Sequence, residues 1–233
     1  MTTLDFDAFD VLTFDTYGTL IDWEAGILAA IRPTLEAHGI ESDDDGVLEA
    51  FARHEAEIEA GPYRPYRQVL GEVLTAMLGH FGQTPTDEEV AAFGGSVVDW
   101  PAFPDSAAAL ARLHERFKLG VITNCDDDLF AASEARLGTT FDWVVTAQQA
   151  RRYKPNPRGF ELLFERVGLP PARILHVAQS LFHDHVTAKR LGLSTVWVDR
   201  RAGLAGGATP PAAAAPDLEV PDMATLAALA VPS

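Results

Sequence analysis

The hydrophobic pattern of this chain changes character twice along its length. Val11–Phe14 is a short apolar run that stops at Asp15, and it predicts a buried strand. Runs of this kind recur only after residue 100, where they alternate with segments of helical spacing. The further predicted strands are 119–124, Trp143–Thr146, Ile174–Ala178, 195–198 and Leu218–Val220, and the predicted helices among them are 107–117, 129–137, 159–167, 186–191 and 223–231.

Between about residues 23 and 100 the strand-like runs disappear. Apolar residues recur there at helical spacing, as Ile27, Ile31 and Leu35 do, and Gly-Pro pairs and single glycines separate one such pattern from the next. Pro33 lies inside the first pattern and predicts a break in that helix. The stretch as a whole predicts a small helical bundle.

Strands that alternate with helices predict an α/β fold with a parallel sheet covered on both faces. We expect a Rossmann-like core built from residues 1–21 and 101–233, with a helical cap of residues 22–100 inserted after the first strand. Residues 203–216 are rich in Gly, Ala and Pro and predict a loop. A cap rooted in the first strand-end loop would close over the crevice where ligands of such sheets bind.

The composition excludes several classes of function. The chain has 233 residues with 18 basic and 34 acidic side chains, so its formal net charge is −16. This acidity argues against binding to nucleic acid or to an anionic membrane surface. One cysteine, Cys125, allows no intrachain disulfide. The sequence shows no signal peptide and no run of roughly 18 apolar residues, so we expect a cytoplasmic protein.

Polar side chains follow each of the first four predicted strands. They are Asp15, Thr123 and Asn124, Lys154, and finally His183 and Asp184. Because the carboxyl ends of parallel strands meet at one edge of a sheet, we expect these groups to face one crevice. A carboxylate there is able to attack an electrophilic carbon or phosphorus, and a nearby ammonium keeps it ionised. An Asp after a strand is also a common helix N-cap or turn residue, so Asp15 alone does not decide between the two interpretations.

Taken together, these residues resemble a known family. The segment from Phe14 to Leu20, Phe-Asp-Thr-Tyr-Gly-Thr-Leu, the later Thr-Asn and Lys-Pro pairs and the distal Asp184 resemble the four motifs of the haloacid dehalogenase superfamily. Phosphatases of that superfamily carry a second Asp two places after the nucleophile, where this chain has Tyr17. In this it resembles the type II 2-haloacid dehalogenases, which displace halide from carbon. A halide leaves without a proton, so the missing acid is tolerable.

The resemblance implies a role for each matching residue. Asp15 would be the nucleophile that forms an ester with C2 of the substrate, and Lys154 would pair with it. Asp184 would position the hydrolytic water. Substrate binding would fall to Tyr17, Thr123, Asn124 and Arg53, with Arg53 holding the departing halide; an exposed helix arginine is an equally good interpretation of Arg53. The resemblance further implies a small anionic substrate, no metal or organic cofactor, and a homodimer.

The fourth motif departs from that pattern. Gln179 replaces a small hydroxyl residue and Leu181 replaces an amide. His183 lies next to Asp184, and we expect the two side chains to activate water together. Two other functions remain open on the sequence alone, a magnesium-dependent phosphatase that binds Mg²⁺ through Asp15 and Asp184, and a binding module without catalysis.

Overall fold

The computed structural model describes residues 4–204 and 206–232. Six parallel strands form one sheet in the order β3-β2-β1-β4-β5-β6. They are β1 Val11–Phe14, β2 Lys118–Thr123, β3 Trp143–Thr146, β4 Ile174–Ala178, β5 Ser194–Val198 and β6 Leu218–Val220. All four residues of β1 and all five of β4 are buried, as expected of central strands covered by helices on both faces. The predicted α/β fold is confirmed.

Ten α-helices accompany the sheet in the described part of the chain. They are α1 Trp23–Ala37, α2 Asp44–Glu59, α3 Tyr66–His80, α4 Asp87–Gly95, α5 Ser106–His114, α6 Asp127–Leu137, α7 Ala147–Ala150, α8 Arg158–Val167, α9 Val186–Arg190 and α10 Met223–Ala230. A π-helical turn, Leu181–His185, precedes α9. The described residues of 203–216 contain neither helix nor strand, as predicted for a loop, and residue 205 lies outside them.

The four helices α1–α4 all lie between β1 and β2 in sequence. The chain enters and leaves this helical segment at one place, because Ile21 forms an antiparallel bridge with Ala102 and the Asp22 N–H donates to the carbonyl of Pro101 at 2.8 Å. This isolated bridge and hydrogen bond fix the two ends of the helical segment beside the loop that follows β1. The division into a core and a cap stays a prediction.

The break expected at Pro33 is wrong, since α1 runs through Pro33 from Trp23 to Ala37. A proline inside a helix removes one backbone hydrogen bond and crowds the preceding turn. Here Ile31 and Leu35, on either side of it, are 0% and 3% exposed. Burial of that apolar face offsets the local cost, which the sequence pattern alone does not measure.

Strand order places the candidate chemistry. β1 lies between β2 and β4 in the sheet. From β1 the chain builds towards one edge through β2 and β3, and it then returns to the middle and builds towards the other edge from β4 to β6. Ligands of open α/β sheets bind at such a point, beyond the carboxyl ends of the strands. In the described residues no helix has both the length and the apolar character needed to cross a membrane.

Candidate active site

One ammonium group joins two carboxylates beyond the ends of the central strands. Lys154 Nζ donates hydrogen bonds to Asp15 Oδ1 at 2.8 Å, to Asp184 Oδ1 at 2.7 Å and to the carbonyl oxygen of Ile122 at 2.9 Å. Asp15, Lys154 and Asp184 are 5%, 4% and 0% exposed. Asp15 follows β1, Lys154 follows β3 and Asp184 follows β4, so the sheet topology itself assembles the cluster.

The turn after β1 fixes the second oxygen of Asp15. Thr19 Oγ1 donates to Asp15 Oδ2 at 2.7 Å and accepts from the backbone N–H of Gln179 at 2.9 Å. Gly18 has φ of +90°, a conformation that side chains disfavour, and a Cβ there would lie 2.9 Å from Trp23 Nε1. The sequence Asp15-Thr16-Tyr17-Gly18-Thr19 therefore folds back so that both carboxylate oxygens accept hydrogen bonds, which suits the ionised form.

Burial and charge act against each other in this cluster. Burial raises the pKa of the Asp184 carboxyl, but Lys154 and His176 outweigh burial and hold that pKa well below its usual range. His176 Nε2 lies 2.9 Å from Asp184 Oδ1. Burial, together with the nearby charge of Asp184, raises the pKa of Asp15 by more than Lys154 and Thr19 lower it. Those two carboxylates outweigh the burial of Lys154 and raise its pKa.

Asn124 fixes the loop that carries Lys154. Its Oδ1 accepts from the Lys154 backbone N–H at 2.7 Å, and its Nδ2 donates to the Lys154 carbonyl at 3.1 Å. The remaining Nδ2 proton goes to Glu59 Oε2 at 3.0 Å. Asn124 therefore ties the end of β2 to the lysine loop and to helix α2.

His183 lies in the π-helical turn beside Asp184. Its ring Nδ1 is 3.0 Å from Ser180 Oγ, while its Nε2 is buried with no hydrogen-bond partner among the described residues. Burial lowers the pKa of His183 to about 4, so the imidazole is neutral at pH 7. The second histidine of this turn, His185, is buried and bonded through Nε2 to the carbonyl of Ala178 at 2.9 Å, so its role is structural.

A small cavity lies against Asp15. Its volume is about 20 Å³, room for about one water molecule. Residues from the strand-end loops form its floor and residues from α1, α2 and α3 form its roof: Asp15, Tyr17, Asn124, Lys154, Ser180 and His183 below, and Trp23, Glu55, Glu59 and Tyr66 above. A substrate larger than one water molecule therefore fits only if the residues that line the cavity move apart.

The roof presents two carboxyl groups and no cation among the described residues that line the cavity. Glu55 is 2% exposed, and its Oε1 accepts from the Tyr66 hydroxyl at 2.6 Å. Glu59 Oε1 is buried without a hydrogen-bond partner among the described residues. Burial raises the pKa of Glu55 to about 8, and burial together with the neighbouring Glu55 raises the pKa of Glu59 well above its usual range.

The structure brings most of the expected site residues together, but not Arg53. Arg53 lies on the exposed side of α2, where its Nη2 is 3.3 Å from His54 Nε2, and it lines two outer cavities rather than the one at Asp15. Thr123 is buried at the end of β2 and also does not line that cavity. Tyr17 does line it, with its hydroxyl bonded to Ser133 Oγ at 3.0 Å.

Several residues of the site were missed at the level of sequence: Thr19, Trp23, Glu55, Glu59, Tyr66 and His176. One signal was present for the glutamates. Leu48 and Phe51 form an apolar stripe on α2, and Glu55 and Glu59 continue that stripe at helical spacing. Carboxyl groups on the buried face of an amphipathic helix are uncommon and point to a site.

The residues present do not fit a divalent cation. In the described part of the chain no group of three His, Cys, Asp or Glu side chains is arranged to hold a metal ion. Lys154 Nζ already lies between Asp15 and Asp184, and Gln179 Oε1 accepts a hydrogen bond from Thr209 at 3.2 Å. A cation between the two carboxylates would have to displace the ammonium.

Known proteins resemble this chain in sequence and in fold. A family model described as a haloacid dehalogenase-like hydrolase matches residues 9–192. An (S)-2-haloacid dehalogenase of Xanthobacter autotrophicus is 28% identical over 196 residues, covering 81% of this chain and 74% of that protein. The Validoxylamine A 7'-phosphate phosphatase of Streptomyces hygroscopicus subsp. limoneus is 28% identical over 197 residues, covering 81% and 84%.

Solved structures show the same architecture. The L-2-haloacid dehalogenase from Xanthobacter autotrophicus superposes with a TM-score of 0.80 at 26% identity, over 95% of this chain and 98% of that one. The same enzyme with chloropropionic acid covalently bound superposes with a TM-score of 0.77, also at 26% identity and over 95% and 98% of the two chains.

Removal of the ammonium should destabilise the fold. We expect Lys154→Met to lower the free energy of unfolding at pH 7 by about 3–5 kcal/mol, because it leaves two buried carboxylates unpaired. In the variant the folded-state pKa values of Asp15 and Asp184 rise, so its stability increases as the pH falls from 7 towards about 4 and the deficit narrows. Urea unfolding at several pH values measures this.

The matched control is Lys118→Met. Lys118 forms an ion pair of 2.8 Å with Asp142, but its side chain is 64% exposed, so the loss should be about 0–1 kcal/mol with little dependence on pH. Equal losses in the two variants would contradict the structural role assigned to Lys154.

Proposed function

The chain belongs to the haloacid dehalogenase-like hydrolase family, and we propose that it hydrolyses a short 2-haloalkanoic acid through a covalent ester on Asp15. The observation that carries this proposal is the buried Asp15–Lys154–Asp184 cluster, formed without an acid at the position of Tyr17. The Tyr17 hydroxyl is hydrogen-bonded to Ser133 Oγ, so it is not placed to give a proton to a leaving group.

In the first step a carboxylate oxygen of Asp15 attacks C2 of the substrate and the carbon–halogen bond breaks. The halogen leaves with the bonding electrons as halide, and no proton is needed. Thr19 and Lys154 hold the two carboxylate oxygens in place before attack. The reacting carboxylate is thereby oriented in a small cavity before the substrate binds.

In the second step water attacks the carbonyl carbon of the Asp15 ester. We assign His183 as the base, in the tautomer whose Nδ1–H donates to Ser180 and whose Nε2 accepts the proton from water. Lys154 stabilises the negative charge that develops on the ester oxygen. Asp184 holds Lys154, and its buried Oδ2, unpartnered among the described residues, is able to accept a hydrogen bond from that water. The products are a 2-hydroxy acid, halide and a proton.

A magnesium-dependent phosphatase is the alternative, and one similar protein has a phosphatase name. An alkoxide leaves a phosphate ester poorly without an acid, and acid catalysis contributes typically ~10²–10⁴-fold. Tyr17 and Gln179 stand where phosphatases of the superfamily supply acids, and Lys154 occupies the space between the two remaining carboxylates. These three features favour displacement at carbon without a metal.

We further propose that the enzyme works in the cytoplasm. Cys125, the single cysteine, is a buried thiol whose pKa is raised by burial, so the fold uses no oxidised sulfur. A homodimer stays a prediction.

The proposed activity is tested by halide release from 2-chloropropionate and its fluoro and bromo analogues, with and without EDTA. We expect the wild type to release halide at a rate that EDTA does not change. Asp15→Asn should reduce kcat by about 10³-fold or more, because the neutral amide is a poor nucleophile. Asp10→Asn, an exposed partner of Arg173 just before β1, is the matched control. Hydrolysis of p-nitrophenyl phosphate that EDTA abolishes, with no halide release, would instead support the phosphatase.

The role of His183 is tested by His183→Ala. We expect one equivalent of halide to appear in a burst, followed by a slow phase, because ester formation needs no base and ester hydrolysis does. Mass spectrometry of the peptide that contains Asp15 should then show the accumulated ester. His80→Ala, at an exposed histidine at the end of α3, is the control. Ester hydrolysis at the wild-type rate in His183→Ala would contradict the assignment.

A further inference from the structure

An anionic substrate needs hydrogen-bond donors or cations, and the cavity at Asp15 offers few that are free. The three ammonium protons of Lys154 go to Asp15, Asp184 and a backbone carbonyl. Both amide protons of Asn124 are engaged, one with Glu59 and one with the Lys154 carbonyl. The Tyr66 hydroxyl donates to Glu55. The cation expected for this role, Arg53, lies elsewhere.

Besides the Trp23 indole and the Ser180 hydroxyl, the two glutamates of the roof are side chains of this cavity able to supply donors. Glu55 and Glu59 lie one turn apart on α2, so both side chains project from the same face of the helix. In each carboxyl group one oxygen already accepts a hydrogen bond, from Tyr66 or from Asn124. That oxygen is therefore the carbonyl-like one, and the proton of a neutral carboxyl group belongs on the other oxygen.

The surroundings favour this neutral form. Two carboxyl groups share one small cavity with Asp15, and the single ammonium among the described residues of its wall is fully engaged. Ionising both glutamates there would add two buried charges without partners. The pKa of Glu55 is about 8, and that of Glu59 is also raised, which agrees with this argument.

A separate observation indicates that the cavity binds a ligand. His183 is 7% exposed and lines the same cavity, and its Nε2 has no hydrogen-bond partner among the described residues. Buried polar atoms nearly always have partners, so an unpartnered ring nitrogen beside a nucleophile indicates a place where another molecule binds. The oxygen Oε1 of Glu59 is unpartnered in the same way.

We propose that Glu55 and Glu59, as neutral carboxylic acids, hold the carboxylate of the substrate by donating hydrogen bonds to it. This inference rests on the proposed function, since it assumes an acid substrate. The two protons do what an arginine does in other carboxylate sites, without adding a positive charge. Hydrogen bonds from a carboxylic acid to a carboxylate are charge-assisted and short, so they are strong enough to hold a small ligand.

The proposal predicts that carboxylate binding weakens in alkali. Substrate binds the protonated glutamates, so the Kd should rise about tenfold per pH unit once the pH exceeds the pKa of about 8 of Glu55. Between about pH 6.5 and pH 9.5 most other ionisable groups that face the pair keep their charge state: the pKa of His183 is about 4, that of Asp184 is held well below its usual range, and those of Tyr17, Tyr66, Tyr153, Cys125 and Lys154 are raised. Burial raises the pKa of Asp15 as well, but Asp15 is retained in the glutamine variants, so a rise in Kd that persists in them belongs to Asp15 and not to the pair.

The experiment measures the Kd of propionate, an unreactive carboxylate, by NMR titration of the full-length protein over that pH range. Glutamine is neutral and retains an N–H donor, so Glu59→Gln and Glu55→Gln should still bind propionate but with a smaller rise in Kd above pH 8. The double glutamine variant should show no rise. Glu59→Ala should raise the Kd at pH 7 by about 10- to 100-fold, the contribution of one charge-assisted hydrogen bond. Glu57→Gln, at an exposed glutamate of the same helix, should behave as the wild type.

The possible results separate the proposals. A wild-type Kd that is constant with pH, or a double glutamine variant with the wild-type rise, would overturn the inference. Tighter binding of propylammonium as the pH rises, abolished in the glutamine variants, would also overturn it and would identify a cation site. If propionate binds as expected but no haloacid loses halide, the proposed function fails and the carboxylate site stands. If halide is released while the Kd of propionate does not change with pH, the proposed function stands and the carboxylate site fails.

Discussion

One buried ammonium between two buried carboxylates is the constraint on which the site depends. Each charge is costly to bury alone; each carboxylate is tolerable because it accepts a hydrogen bond from Lys154, and the ammonium is tolerable because it donates to both carboxylates. The three residues come from loops after three different strands. The cluster therefore forms only when the parallel sheet has the right order, and the same arrangement fixes both carboxylate oxygens of Asp15 through Lys154 and Thr19.

The roof determines what reaches that nucleophile. Helices α1–α3 close over Asp15 and leave room for about one water molecule. A substrate must displace that water molecule. It must also form hydrogen bonds with Glu55 and Glu59, the two carboxyl groups that α2 places in the cavity wall. The floor of the cavity follows from the sheet and its strand-end motifs, whereas its roof follows from the helical segment above it. Proteins of one fold class differ in function because their site residues differ.

Much of the fold was predictable from sequence because its signals are local. Short apolar runs gave the strands to within one residue at each end, and the polar residues that follow them gave Asp15, Lys154 and Asp184. The break predicted at Pro33 was wrong because a proline in the sequence indicates only the local loss of a helical hydrogen bond. It gives no information about the buried apolar face that compensates for this loss. The family resemblance grouped Asp15, Asn124 and Lys154, and these residues line the floor of the cavity.

The roof was not predictable in the same way. Which face of a helix in the inserted segment points at the sheet depends on packing between segments that are distant in sequence. Arg53 and Glu55 lie two positions apart on α2 and therefore on different faces, so a loose alignment in this region selects a residue that does not line the cavity at Asp15. The acidic run in α2 also looks like an ordinary solvated surface until the structure shows that Glu55 is 2% exposed.

The central claim is that the carboxylate of Asp15 itself displaces the leaving group and is then hydrolysed. A single turnover in H₂¹⁸O, with enzyme in excess over 2-chloropropionate, tests this most directly. Water that attacks the ester carbonyl leaves its oxygen on the enzyme, so the peptide containing Asp15 should gain one ¹⁸O and the 2-hydroxy acid should carry none. Label in the hydroxy acid after one turnover, with an unlabelled Asp15 peptide, would contradict the account.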